Sequence, residues 1–338
     1  MKKVGLKEIA EHVGVSIALV SYVLNGHAEI KQVSKENAKK IKAAAKKLNY
    51  RPNQIAKSLK TDKTNTIGLV VADINYRFST GITRAIEAEA KKANYTVLFG
   101  SSNESKETFT DLVNVLINRQ VDGLILVPVE NSQDQIRMLQ KAEIPFVLLD
   151  RNFPEIKADH IALDNYMAAY NATKYLIILG HKRIAFFNYK TSFFHLHERN
   201  RGYLAALKDH NIAFEFDWMQ EINSANRYAD VQHGLKTVMN FSAPCDAIFF
   251  ATDTLTLNGL KYLNQLKINV PGKVSVMSFD EAEAFELFYT PITHLRQPLE
   301  EMGQMSVATL VDLINHRKIN KQISFSSNLV IGRSCREI

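Results

Sequence analysis

From Thr66 onward, apolar runs of strand length alternate with helical stretches, and this alternation restricts the fold more than any other feature of the chain. Residues 66–72 read T-I-G-L-V-V-A, the nearly continuous apolar pattern of a parallel strand buried on both faces. Comparable runs recur at 95–100, 123–127, 146–150, 183–188, 247–251 and 274–279. Between them lie helical stretches at 83–93, 109–118, 165–179, 199–209, 228–239, 255–266 and 299–315. Short links between alternating β and α segments predict doubly wound parallel sheets, and the number of strands predicts two lobes.

The first 63 residues obey a different pattern and carry the charge. They hold 14 Lys and Arg against 5 Asp and Glu, a net +9, which leaves 28 against 30, or −2, for the rest of the 338-residue chain. A small domain with that excess suits phosphate contacts with nucleic acid, although a solvated lysine surface has the same composition. No apolar run approaches the roughly 20 residues of a membrane span. The polar residues after Met1-Lys2-Lys3 break any secretory signal, so a cytoplasmic protein, nucleoid-associated on DNA, is expected. Cys245 and Cys335 stand alone, which predicts neither a disulfide framework nor a zinc site.

Leu6, Ile9, Ala10 and Val13 fall at helical spacing, Gly14-Val15 interrupts them, and Ser16 is placed to cap a second helix over 17–24. Asn25-Gly26 stops that helix. Its inward side draws on Ala18 or Leu19 with Val20, Val23 and Leu24. Ser34 caps a third helix whose apolar face is Ala38, Ile41, Ala44, Ala45 and Leu48, with lysines outside. Two short helices around a glycine turn form a helix-turn-helix, whose second helix fits the major groove. Residues 50–59, Y-R-P-N-Q-I-A-K-S-L, join this unit to the larger part as either an inert linker or a conditional helix. Asn53 or Pro52 can open a helix, but so few residues cannot sustain one alone, so we read a helix that needs a partner.

L-K-E-I-A-E-H-V-G-V-S-I-A-L-V-S-Y-V-L-N-G, followed by L-N-Y-R-P-N-Q-I-A-K-S-L, resembles the headpiece of the lactose/purine repressor (LacI/GalR) family. That resemblance implies base reading by Ile17, Ala18, Ser21 and Tyr22, backbone contacts by Ser16 and Asn25, and a hinge helix carrying Asn53, with Leu59 beside Ala56 as a minor-groove wedge. Tyr22 stands where many members carry Arg, so no bidentate guanine contact is available there. Gly5 replaces the usual Thr or Ser before the first helix, a poorer cap.

The remainder is similar to the two-lobed α/β periplasmic-binding-protein-like domain of the same family. The resemblance is carried by V-D-G-L-I-L (121–126), L-D-N (163–165), G-H-K-R-I-A (180–185), R-N-R-G-Y-L-A-A-L (199–207), S-F-D (278–280) and T-P-I-T-H-L-R-Q-P (290–298). The implied organisation is an all-α headpiece over 1–50, a hinge and linker over 51–63, and an effector and dimerisation domain over 64–338. Its lobes would be 64–163 plus 292–324, and 164–291 plus 325–338, with crossings near Asp164, Pro291 and Ser324. Ligands of open α/β sheets bind at the carboxyl ends of the strands. The polar residues there are Asp73 and Phe78, Asp150 and Arg151, Asp253 and Asp280, joined by Arg199 from the family pattern and by Phe193 and His195 before it. Asp164 either touches ligand or caps the helix behind it. Asn-Pro-Phe-Phe of the family reads Tyr76-Arg77-Phe78-Ser79 here, and Ala-Asn-Asp reads Ala251-Thr252-Asp253. Arg77 and Arg151 either serve an anionic ligand or lie on the surface.

The function that follows is a sequence-specific DNA-binding transcriptional regulator, a repressor. It is expected to occupy a pseudo-palindromic double-stranded operator as a homodimer under control of a small sugar-like effector, without cofactor, metal or membrane partner. With no heptad tail after Gly332, a dimer is favoured over a tetramer. A purine-type or phosphorylated effector, or a solute-binding protein that ignores DNA, are the alternatives. No GxSxG, Walker A or HExxH motif points to an enzyme. Selection from a randomised DNA pool at physiological salt is expected to yield a two-fold symmetric consensus whose binding weakens strongly in Leu59→Ala. If no sequence were enriched, with or without candidate ligands, the headpiece assignment would fail.

Overall fold

Seven buried apolar side chains close a small three-helix core: Ile9 and Ala10 of α1 (Leu6–Val13), Val20 and Val23 of α2 (Ile17–Leu24), and Ile41, Ala44 and Ala45 of α3 (Lys35–Lys47). This core belongs to the first of two units, Met1–Thr64 and Asn65–Ile338, in a computed structural model that describes residues 4–50, 63–240, 243–316 and 321–338. Gly14 ends α1 at φ 73°, a left-handed conformation that only glycine adopts without strain. The Ser16 hydroxyl accepts the Leu19 N–H at 3.2 Å, and Ser34 does the same for Asn37. Gly5 has no side chain to cap α1. The Glu8 carboxylate accepts the Gly5 N–H at 2.9 Å and reaches back over the helix start.

The second unit contains two six-stranded sheets. The first runs β11-β5-β4-β3-β1-β2, with β1 (Thr66–Val71), β2 (Thr96–Ser101), β3 (Gly123–Leu126), β4 (Phe146–Leu149), β5 (His160–Leu163) and β11 (Gln322–Phe325), all parallel. The second runs β12-β10-β9-β8-β6-β7, with β6 (Ile184–Tyr189), β7 (Met219–Ile222), β8 (Ala247–Phe250), β9 (Ser275–Phe279), β10 (Thr293–Arg296) and β12 (Asn328–Val330). Only β12 is antiparallel, against β10. Helices α4 (Arg77–Lys92), α5 (Lys106–Asn118), α6 (Gln133–Lys141) and α11 (Leu299–Ile314) accompany the first sheet; α7 (Asn165–Ile178), α8 (Phe194–Asp209), α9 (Arg227–Met239) and α10 (Asp253–Gln265) accompany the second. In each sheet the strand order reverses beside the strand next to one edge, β1 in one and β6 in the other. This opens a crevice at the strands' carboxyl ends.

The crossings between lobes depart from expectation in one of three places. The first falls at Asp164, between β5 and α7. The second lies at Gln297-Pro298 and not near Pro291, because Thr293–Arg296 pairs with β9 and completes the second sheet. The third lies at Ser326-Ser327, two residues beyond Ser324, which pairs with Ala162 of β5. Five helices also begin earlier than expected, α4 and α8 by the widest margin. α4 starts at Arg77 rather than Thr83 and runs through Gly81, a poor helix residue that here lets Leu299 Cδ1 approach to 2.6 Å from where a Cβ would stand. α8 starts at Phe194 rather than Arg199.

α7 and α8 approach closely because Gly202 has no side chain. A Cβ there would stand 2.2 Å from the Tyr166 carbonyl oxygen and 2.9 Å from the Tyr170 nitrogen, backbone atoms of a helix that cannot yield. Gly202→Ala is therefore expected to destabilise the second unit by about 1–3 kcal/mol, read as a lower denaturant midpoint. An unchanged midpoint would mean that the helices are free to separate.

Candidate functional site

The outward face of α2 carries the residues expected to read DNA. With Val20 and Val23 buried, Ile17, Ala18, Tyr22 and Asn25 are exposed and Ser21 is half-buried. Ile17 is 49% and Tyr22 36% accessible, which removes Tyr22 from the core. The Lys31 ammonium lies 5.6 Å from the Tyr22 ring centroid. Ser16 is engaged as the cap of α2, and the Asn25 side-chain amide donates to the Ser21 carbonyl oxygen at 2.8 Å, closing the other end. Asn53, Ala56 and Leu59 lie outside the described residues.

A cleft of about 250 Å³ separates the carboxyl ends of the two sheets, and it gathers Phe78, Asp150, Arg151, Phe193, His195, Arg199, Asp253 and Asp280. Asp73 is not in its lining: its Oδ1 accepts the Asn75 N–H at 2.8 Å and the Asn75 side-chain amide at 2.9 Å, a turn closed on itself. Asp164 caps α7, accepting the Met167 N–H at 2.9 Å. Asp150 and Asp280, each directly after a strand, hold left-handed backbones at φ 65° and 67°. That conformation is uncommon outside glycine and tolerated by aspartate, and such strained positions cluster at functional sites.

Arg199 is the buried centre of the second lobe's contribution, 3% exposed. Its Nε donates to Asn165 Oδ1 at 2.8 Å and its Nη1 to the Ala251 carbonyl at 2.5 Å, while the guanidinium sits 3.4 Å from the Phe279 ring centroid and 3.7 Å from Asp280 Oδ2. Gln297 donates to Asp280 Oδ1 at 2.6 Å. Burial pushes the Asp150 carboxyl up to about 6, against the opposing charges of Arg151 and Arg199. Burial and the nearby Asp280 likewise push Asp253 up to about 6. Burial, aided by Arg151 and Arg199, holds His195 well below its ordinary value, so its imidazole is neutral. His195 Nδ1, Gln297 Oε1 and Arg227 Nε are buried without a partner among the described residues, and all three residues line the cleft.

Neither Arg77, 38% exposed and outside the cleft, nor the mostly buried Arg151 is free for an anion. Arg151 forms a bidentate pair with Glu104 at 2.7 and 2.8 Å and stacks 4.2 Å from the Phe193 ring. Arg77, outside the lining, pairs with Glu281 at 3.2 Å and Glu283 at 2.9 Å. The latter contacts join the two lobes. A second set does the same: Glu130, after β3, accepts from the Ser192 N–H at 2.7 Å, from the Ser192 hydroxyl at 3.0 Å and from the Thr191 hydroxyl. Burial pushes the Glu130 carboxyl up, but these bonds and the charge of Arg151 outweigh it and hold it below the ordinary range. Sequence reasoning missed Glu104, Glu130, Tyr76, Tyr189, Arg227 and Gln297. Tyr189 ends a strand and was open to the same rule that found Asp150. Glu104 is recognisable only through its distant partner.

A family model of bacterial regulatory proteins, lacI family, matches residues 5–53, and one of the periplasmic binding protein-like domain matches residues 173–335. The HTH-type transcriptional regulator RegA of Clostridium saccharobutylicum is 30% identical over 319 residues, covering 94% of each chain. The ribose operon repressor of Haemophilus influenzae is 30% identical over 93% of each, and the repressor PurR of Vibrio vulnificus 29% identical over 98% of this chain and 99% of its own. Among solved structures, the Lac repressor dimer bound to operator and the anti-inducer ONPF superposes with a TM-score of 0.87 at 23% identity, covering 99% of this chain and 100% of that one. The CelR–cellobiose complex gives 0.73 at 26% identity, covering 98% and 100%. A helix-turn-helix headpiece and a two-lobed ligand domain in one chain define a DNA-binding transcriptional regulator. This chain belongs to the LacI family. No described helix is long and apolar enough to cross a membrane.

The raised carboxyls have a measurable consequence. A carboxyl whose folded pKa exceeds its unfolded value of 3.8 contributes stability that is complete below 3.8 and lost as pH rises through about 6. Asp150→Asn keeps the neutral form throughout. It is expected to be more stable than the native protein above about pH 7, by on the order of 1–3 kcal/mol, with the difference vanishing near pH 4 in thermal melts. A loss of stability above pH 7 would show instead that Arg151 and Arg199 more than compensate the buried charge.

Proposed function

We propose that this chain represses transcription as a homodimer on a pseudo-palindromic operator, and that a small sugar-like effector held in the interlobe cleft controls its affinity for DNA. The observation that carries the effector assignment is the set of polar groups turned on one cleft from both lobes. Asp150, Asp253 and Asp280 are acceptors, Arg199 is a donor, and His195 and Gln297 keep buried atoms without partners among the described residues. Hydroxyl groups satisfy such atoms, and buried acceptors and donors left unpaired cost about 1–3 kcal/mol each. Phe78 and Phe193 add flat apolar walls. The cleft is proposed to bind and not to catalyse, in line with relatives that are regulators.

The exposed face of α2 supports base reading by Ile17, Ala18, Ser21 and Tyr22, with apolar contact to thymine methyls as the available chemistry. Self-association is supported by edge strand β2, which leaves Leu98 and the 57%-accessible Phe99 uncovered, and by Val115 on the adjacent α5. Because contacts from Arg77 and Glu130 join the lobes, a ligand that prefers one lobe arrangement biases the operator-binding form by its differential affinity.

Tyr22→Ala is expected to lower affinity for the selected operator by roughly 1–3 kcal/mol, about five- to 150-fold, in fluorescence anisotropy, with no change in unfolding midpoint. A panel of neutral and phosphorylated sugars and nucleobases should contain a compound that shifts operator affinity in the native protein and loses that effect in Arg199→Lys. Native binding indifferent to DNA sequence would refute the regulator. A nucleobase hit with no sugar hit would replace the sugar by a purine.

A further inference from the structure

Arg77, Arg151 and Arg199 each have their charge matched. Arg151 is clamped by Glu104, Arg77 by Glu281 and Glu283, and Arg199 lies beside Asp280 with two of its five N–H donors on Asn165 and Ala251. Two cations lining the cleft are different. Arg227, the first residue of α9, and Lys190, directly after β6, have no carboxylate oxygen within 4.0 Å among the described residues. Arg227 Nε is buried without an acceptor, and its guanidinium is 5.7 Å from the Tyr189 ring centroid. Ser224 lines the same part of the chain's approach to α9, and Asn226, the residue before that helix, makes no side-chain cap bond. A half-buried guanidinium with an unmade bond costs free energy that a charged acceptor recovers, and its planar fork suits phosphate or carboxylate.

We propose that the effector carries an anionic group received by Arg227 and Lys190, while its hydroxyls face Asp150, Asp253, Asp280 and Arg199. The ligand class is then a phosphorylated or acidic sugar. The assignment rests on the cleft being the effector site. The aspartates repel an anion, so the charged group is confined to the Arg227 end and the polyol is oriented. Tyr76 and Tyr189, also in the lining, stay protonated, since burial raises both, and add hydroxyl donors without negative charge.

The test uses the full chain, with Arg227→Met and Arg227→Lys. Thermal unfolding is followed in inorganic phosphate against chloride at equal ionic strength, and calorimetric binding is measured for hexoses, their 6-phosphates and the matching uronates. Phosphate is expected to raise the native midpoint, to do so partly in Arg227→Lys and not in Arg227→Met. A hexose phosphate or uronate is expected to bind ten- to hundredfold more tightly than its neutral parent, as one charge-assisted contact provides, and to lose that margin in Arg227→Met. The two anion series separate phosphate from carboxylate. The proposal is overturned if phosphate acts equally on Arg227→Met, if it acts on neither protein, or if neutral sugars bind and anionic ones do not. That last result leaves the sugar effector standing. Phosphate stabilisation through Arg227 with no sugar bound in either series would keep the anion subsite and remove the sugar.

Discussion

A single buried guanidinium organises the ligand half of the protein. Arg199 reaches from α8 to the side chain of Asn165 at the start of α7, to the Ala251 carbonyl just past β8, to the Phe279 ring at the end of β9, and toward Asp280 beyond it. A charge this deep is tolerated only when its donors are satisfied and a counter-charge is near. Those requirements fix four elements relative to one another. The close approach of α7 and α8 over Gly202 follows the same logic, since it brings Asn165 and Arg199 within hydrogen-bonding reach.

The same centre explains the aspartates. Arg199 cannot neutralise Asp150, Asp253 and Asp280 together, so all three stay destabilised as anions. Stability has been given up along the cleft, and perturbed carboxyls of this kind cluster at functional sites.

The frame was legible in the sequence because parallel strands buried on both faces leave uninterrupted apolar runs. It was not legible where strands are short or at an edge: Thr293–Arg296 and Gln322–Phe325 carry polar residues in mid-strand and gave no such run, and this is why the lobe crossing near Pro291 was misplaced. Asp150 and Asp280 were found because they follow recognisable strands. Asp73 met the same rule and failed it, since a neighbouring Asn75 offered a nearer partner. Glu104 and Glu130 carry chemistry set by residues 47 and 61 or 62 positions away, which no local pattern encodes. On α2, helical spacing separated Val20 and Val23 from Ile17 and Tyr22 correctly because burial there is decided by one small core.

The lobes are joined by three short crossings, at Asp164, Gln297-Pro298 and Ser326-Ser327. Two rigid bodies held by one tether can twist, slide and tumble. Three tethers emerging beside one another act as a hinge pin and leave rotation as the soft motion. Small displacements at the cleft are thereby geared into a directed movement at the far rim of each lobe, and a ligand needs only to set an angle.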